Sequence, residues 1–131
     1  MRTKLRVTAA SLGALLTLTL MPGTATASVS NWYSNPGNCT NVRTVAENTS
    51  GTRYVQLRRG TCGGVSYVWG RANDNRVVSF GVYTNSPWKL IATDKTQNGS
   101  GNTHYTKGYR AQVGKTYVAD AGSGFATSYS P

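Results

Sequence analysis

Arg53–Arg71 reads RYVQLRRGTCGGVSYVWGR, and its alternation decides the fold. Over Arg53–Arg59, Val55 and Leu57 fall on one side and Tyr54, Gln56 and Arg58 on the other, which is the period of two of a strand with one wet face. Gly60-Thr61-Cys62-Gly63-Gly64 reads as a loop. Val65–Arg71 resumes the alternation with Val65, Tyr67 and Trp69 together. Helical signal is almost absent: beyond the first 27 residues Gly, Asn, Ser and Thr are abundant, while Glu, Leu and Ala runs are scarce.

The same pattern spreads outward in both directions. Upstream, Val42–Glu47 is a strand candidate closed by the turn Asn48-Thr49-Ser50-Gly51. Downstream, Asn73-Asp74-Asn75 is a turn whose side chains can bond their own backbone and tolerate left-handed dihedrals. Arg76–Thr84 then places Val78, Phe80 and Val82 on one face. After Asn85-Ser86-Pro87, Trp88–Thr93 places Trp88, Leu90 and Ala92 on one face. Residues 94–102 read as the longest polar loop. His104–Val113 and Lys115–Ala121 read as a closing hairpin about Gly114, followed by a small polar tail with Phe125 and Tyr129 as anchors. About seven short strands at ten-residue spacing predict an all-β chain, a small antiparallel sandwich or barrel. Phe80, Phe125, Trp69 and Trp88 are the large side chains available to fill a small core.

The first 27 residues have a different character. Arg2, Lys4 and Arg6 precede an apolar run over Leu12–Leu20, and Ala25-Thr26-Ala27 supplies a small-x-small cleavage pattern. That order predicts a secretory signal cleaved before Ser28, with a run far short of the ~20 residues of a spanning helix. Without residues 1–27, 104 of the 131 residues remain, one domain, carrying 11 of the 14 basic residues against all 4 acidic ones, a net charge of +7. An exported chain with only two cysteines is expected to join Cys39 to Cys62. The expected product is a secreted, extracellular monomer with no membrane span, held by one disulfide, and associated with the cell wall if its charge finds a partner there.

Val55-Gln56-Leu57-Arg58, then Cys62, then Trp69-Gly70-Arg71 resembles small secreted proteins of actinobacteria that carry a V-x-L-R … C … W-x-R core. The likeness covers about a fifth of the chain after Ala27. It implies a secreted β domain and supplies no activity.

Catalytic chemistry is poorly provided for. His104 is the single histidine, and no G-x-S-x-G elbow accompanies it. Glu47, Asp74, Asp94 and Asp120 are scattered singly, whereas glycoside hydrolysis needs two carboxyls across one bond. A ribonuclease-like hydrolase using His104, a carboxylate such as Glu47 and an arginine is the enzymatic alternative. One histidine and two paired cysteines make no zinc cage, and no calcium-loop pattern occurs, so neither a metal nor a cofactor is expected. Gly114-Lys115-Thr116 imitates the end of a phosphate loop, but five residues rather than four separate Gly108 from Gly114, and a strand pattern follows.

Basic and aromatic surface remains. Arg58, Arg59, Arg71 and Arg76 flank two adjacent turns, and Tyr54 and Tyr67 lie on the strands between. Gathered at one end of neighbouring strands, they would hold an anionic polymer, either a wall polymer or nucleic acid, or stack against a glycan. Cross-strand pairing and edge protection account for the same residues without a ligand. A third reading is a protease-inhibitor-like module presenting Gly60–Gly64 as a loop braced by Cys62.

Overall fold

The structure is a computed structural model that describes residues 30–96 and 98–131. The signal segment Met1–Ala27 and its cleavage point lie outside the described residues. Asn31–Pro131 forms one compact unit.

Each alternating stretch is a strand, and all pairings are antiparallel. In chain order they are β1 (Trp32–Tyr33), β2 (Thr40–Ser50), β3 (Arg53–Cys62), β4 (Val65–Ala72), β5 (Ser79–Asn85) and β6 (Trp88–Lys95). Then come β7 (Asn98–Ser100), β8 (Thr103–Tyr105), β9 (Gly108–Arg110), β10 (Lys115–Asp120) and β11 (Ala126–Tyr129). One sheet runs β1-β9-β4-β3-β2, with β8 on the other half of β4 and β7 beside β8. The second sheet runs β11-β10-β5-β6.

The expectation of about seven strands understates the eleven found among the described residues. The additions are short pieces in segments read as arm, loop or tail: β1, β7 and β11. The predicted strand His104–Val113 divides into β8 and β9, because Thr106 turns inward between them and its hydroxyl accepts from the Gly70 amide. The expected hairpin about Gly114 is also corrected. Gly114, at φ +85°, carries the chain from one sheet to the other, so β9 and β10 never pair. Tyr117 fixes this crossing: its buried hydroxyl donates to the Arg110 carbonyl at 2.6 Å and accepts from the Gln112 amide at 2.9 Å.

The core fills the space between the sheets. Val55, Leu57, Val68 and Ala72 come from the first sheet; Val78, Phe80, Val82, Tyr117 and Ala119 face them. Phe125 and Tyr129 pack against its edge, as the tail anchors the sequence suggested. Burying a side chain of this size is worth about 1.5–3 kcal/mol each relative to exposure. At Gly70 the sheets approach closely: a Cβ there would sit 2.9 Å from Val78 Cγ1 and 3.2 Å from Ala119 Cβ.

β4 buries both faces. Val65, Tyr67 and Trp69 do share a face, but it is the outer one, where Tyr67 and Trp69 form a second cluster with Cys62. Chain before β2 covers that cluster. A 3-10 turn over Pro36–Asn38, opened by the Asn35 side chain accepting from the Gly37 amide, leads to Cys39, and Cys39 is disulfide-bonded to Cys62.

β6 departs from its predicted pattern. An extra residue at Ile91, between the pairs Tyr83–Leu90 and Val82–Ala92, is a β-bulge. It reverses the phase, so Ala92 packs on the core while Trp88 and Leu90 stay outside. Trp88 is 59% exposed and no part of the core.

Candidate functional site

The turn between β3 and β4 consists of Gly63 and Gly64 alone, at φ +59° and +83°. Two successive residues with positive φ make the tight turn that suits a hairpin's twist, and they fix its register. Cys62 is therefore opposite Val65, Arg58 opposite Trp69, and Gln56 opposite Arg71. Arg58 and Arg71 become diagonal neighbours on one face, the outer face of the larger sheet.

The Pro36–Asn38 turn and the disulfide raise a wall beside them. The result is a cleft of about 380 Å³ bounded by Arg58, Arg71, Trp69, Tyr105, Pro36 and Val42. Gly37 lets the wall close, since a Cβ there would collide with the Tyr105 hydroxyl. That hydroxyl donates to Asn35 Oδ1 at 3.0 Å, joining wall to sheet.

The charges are unbalanced. Arg58 Nη1 donates to Thr44 Oγ1 at 2.6 Å. Its pKa is lowered, first by burial and then by the positive charge of Arg71, with Tyr54 and Glu47 acting weakly the other way. Arg71 stands over the Tyr54 ring, 5.7 Å from its centroid, and makes no hydrogen bond or ion pair among the described residues. Glu47, the carboxylate on this face, accepts from Gln56 Nε2 at 2.6 Å. That contact orients the amide and leaves Gln56 Oε1 buried without a partner. Two guanidiniums, partly desolvated and repelling each other, form a donor array suited to a carboxylate or phosphate.

The four arginines do not gather as expected. Arg59 is adjacent to Arg58 in a strand and so points to the opposite face, where Nε donates to Ser66 Oγ and Nη1 to Tyr129 Oη, both at 2.7 Å. Arg76 lies beyond β4; its Nη1 donates to the Ala121 carbonyl at 3.1 Å and its Nε is 4.0 Å from Asp74. It ties two loops together. Tyr54 does stand beside Arg71, but Tyr67 is buried between Cys62 and Trp69 with Tyr33 against its ring. Trp69, read from the sequence as a core side chain, and Tyr105 and Thr44 belong to the site and were not assigned to it from the sequence. The Gly63-Gly64 hairpin signal could have found Trp69, whereas Tyr105 lies in the expected strand His104–Val113 and no local pattern says that it pairs with β4.

His104 Nε2 lies 3.3 Å from Asn75 Oδ1. It opposes Ala72, whose side chain faces the core, and stands three strands from Glu47 on the other face of the sheet. At ~4.8 Å per strand that separation is roughly 14 Å. Among the described residues no three His, Cys, Asp or Glu side chains cluster as a metal site. No described helix is long and apolar enough to cross a membrane. Gly60–Gly64 is not a loop: β3 continues through Cys62, and the two-residue turn presents no extended peptide.

Scans of this chain against protein-family models, curated proteins and solved structures find no match.

Proposed function

We propose that this is a secreted, non-enzymatic β domain that binds an anionic or carbohydrate polymer at or near the cell surface, and that the Arg58–Arg71 cleft is its anionic subsite. One observation carries the reading. Arg71 has no ion pair or hydrogen bond among the described residues, and it stands beside a second, partly buried arginine. A sheet that places two like charges together loses energy unless an anion joins them. A phosphate or carboxylate between them accepts charge-assisted hydrogen bonds from both, in a cleft where screening is weaker than at an open surface. The net charge of +7 on the chain after Ala27 steers polyanions toward it.

The test is retention of the mature protein on purified wall polymer and on nucleic acid. Retention is expected at ~50 mM salt and should fall steeply by ~200 mM, because bound charges release counterions. R58Q/R71Q should abolish most of it, whereas R59Q/R76Q, on other faces, should not. No retention at low salt, or retention indifferent to R58Q/R71Q, refutes the proposal. His104→Ala should leave polymer binding unchanged, and a hundredfold drop in a reproducible hydrolysis would favour the ribonuclease-like alternative instead. Intact mass of protein from culture medium should show a chain beginning near Ser28; retention of Met1–Ala27 there refutes secretion by cleavage.

A further inference from the structure

The second sheet has an outer face that the cleft does not use. Phe80 and Val82 turn inward from β5, so Gly81 and Tyr83 turn outward. The ladder sets Val118, Gly81 and Thr93 in one row across the sheet, and Asp120, Ser79 and Lys95 in the next. Tyr83 lies beside Leu90, and Trp88, opposite Asn85, stands behind the Tyr83 ring. Tyr83 and Trp88 stack at 4.5 Å between centroids and 12° between planes.

This is a built trough with two kinds of wall. Gly81 is its floor: Tyr83 Cε1 and Leu90 Cδ1 would lie 3.1 and 3.3 Å from a Cβ there. The open volume is about 570 Å³. The apolar end is aromatic, flat and fixed by stacking. The polar end offers the Thr93 hydroxyl, the Lys95 ammonium and the second carboxylate oxygen of Asp120, none of them engaged among the described residues; the first Asp120 oxygen accepts from the Gly122 amide. In a chain with a net charge of +7 after Ala27, the trough sets Asp120 against Lys95 alone, because Asp94 faces inward beside Phe80 and accepts from the Lys107 amide, so no excess of positive charge draws a polyanion there.

A strand from another chain fits the site poorly. β6 is the sheet's edge, but it is bulged at Ile91 and bears Lys89 and Lys95 near its two ends, devices that oppose edge pairing. A pyranose matches what remains. It has an apolar C–H face for a ring to cover and hydroxyls at its rim for a few fixed polar groups.

We infer that the outer face of the second sheet is a binding site for an uncharged oligosaccharide, with Tyr83, backed by the stacked Trp88 ring, as the stacking platform and Thr93, Lys95 and Asp120 as the hydroxyl partners. It extends the surface-polymer reading but rests on different residues from the arginine cleft. The experiment is calorimetric titration of the full mature chain with the β-1,4-linked hexaoses of glucose, xylose and N-acetylglucosamine. At least one should bind with a Kd tighter than ~1 mM. Y83A and G81V, the second filling the trough, should each weaken that binding tenfold or more with unchanged far-ultraviolet dichroism and cooperative unfolding. R58Q/R71Q should leave it intact, so failure of the arginine cleft and failure of this site are distinguishable. Absence of binding to all three hexaoses overturns the inference, as does binding that survives Y83A. So does sedimentation showing a dimer that W88A makes monomeric, since a second copy then covers the face.

Discussion

Replacing Tyr117 with phenylalanine removes one oxygen from the middle of the molecule. The ring is fully buried and has a near-isosteric replacement, so packing is almost unchanged. Two backbone groups lose their partner: the Arg110 carbonyl, 2.6 Å away, and the Gln112 amide, 2.9 Å away. The Arg110 carbonyl ends β9 and the Gln112 amide follows it in the segment that crosses between sheets. Leaving a buried backbone group unpaired costs about 1–3 kcal/mol, and some relaxation toward water at this rim lowers the sum, so the loss should be about 2–4 kcal/mol. Urea unfolding followed by tryptophan fluorescence reads this as a midpoint lower by roughly 1–3 M. A loss below ~0.5 kcal/mol would refute the role assigned to the hydroxyl.

The same group predicts an alkaline signature. Burial first, and the nearby Tyr109 phenol, push the Tyr117 pKa up to about 12 from its ordinary 10.0. A phenol harder to ionise in the folded state stabilises that state fully below its unfolded pKa. The contribution, on the order of 3 kcal/mol, is lost as pH rises from ~10 to ~12. The stability gap between wild type and Y117F should therefore close across that window. A gap that stays constant refutes the argument even if the neutral-pH loss is as expected.

Reducing the Cys39–Cys62 bond, or replacing both cysteines with serine, should lower stability by about 3 kcal/mol for a closed loop with sequence separation 23, read as a fall in Tm. The same treatment should weaken polyanion retention, because Cys39 and Pro36 form a wall of the arginine cleft. Leu57→Ala should cost about 2–5 kcal/mol in urea unfolding, Leu57 being wholly buried between the sheets. Gly70→Val should cost at least about 1–3 kcal/mol, because its added carbons meet Val78 and Ala119 in the facing sheet.

The fold class was legible because Val55, Leu57, Val78, Phe80 and Val82 each sit at the buried phase of a local alternation, and all are buried. The disulfide was legible because two cysteines leave a single pairing. Three things were not. The bulge at Ile91 inserts one residue into an otherwise regular pattern, so Trp88 reads as core and is surface. β4 is covered on both faces, and a period of two cannot say which half of such a strand meets the main core. Sheet membership depends on crossings such as Gly114, where a hairpin and a change of sheet use the same residue type. The arginine site was half legible. Strand parity alone separates Arg58 from Arg59, and a two-residue Gly63-Gly64 turn alone unites Arg58 with Arg71. What remained hidden was the wall, built by chain that precedes β2 and meets the sheet only in three dimensions.

The order of strands in the larger sheet also sets a timetable. Trp32 pairs with Tyr109, so one of the first described residues finds its neighbour only when the ninth strand exists. Asn48 likewise donates to the Ala126 carbonyl, 78 residues further on. A chain emerging in order can close its β2–β3 and β3–β4 hairpins early, but the sandwich must wait for β9 and β11. Pairings of such long sequence separation place a domain among the slower folders, in milliseconds to seconds, with its apolar strand faces uncovered until then. The proposed secretion, were the chain to cross a membrane unfolded, would be suited by this delay, because no early portion becomes a stable obstacle before the later strands arrive.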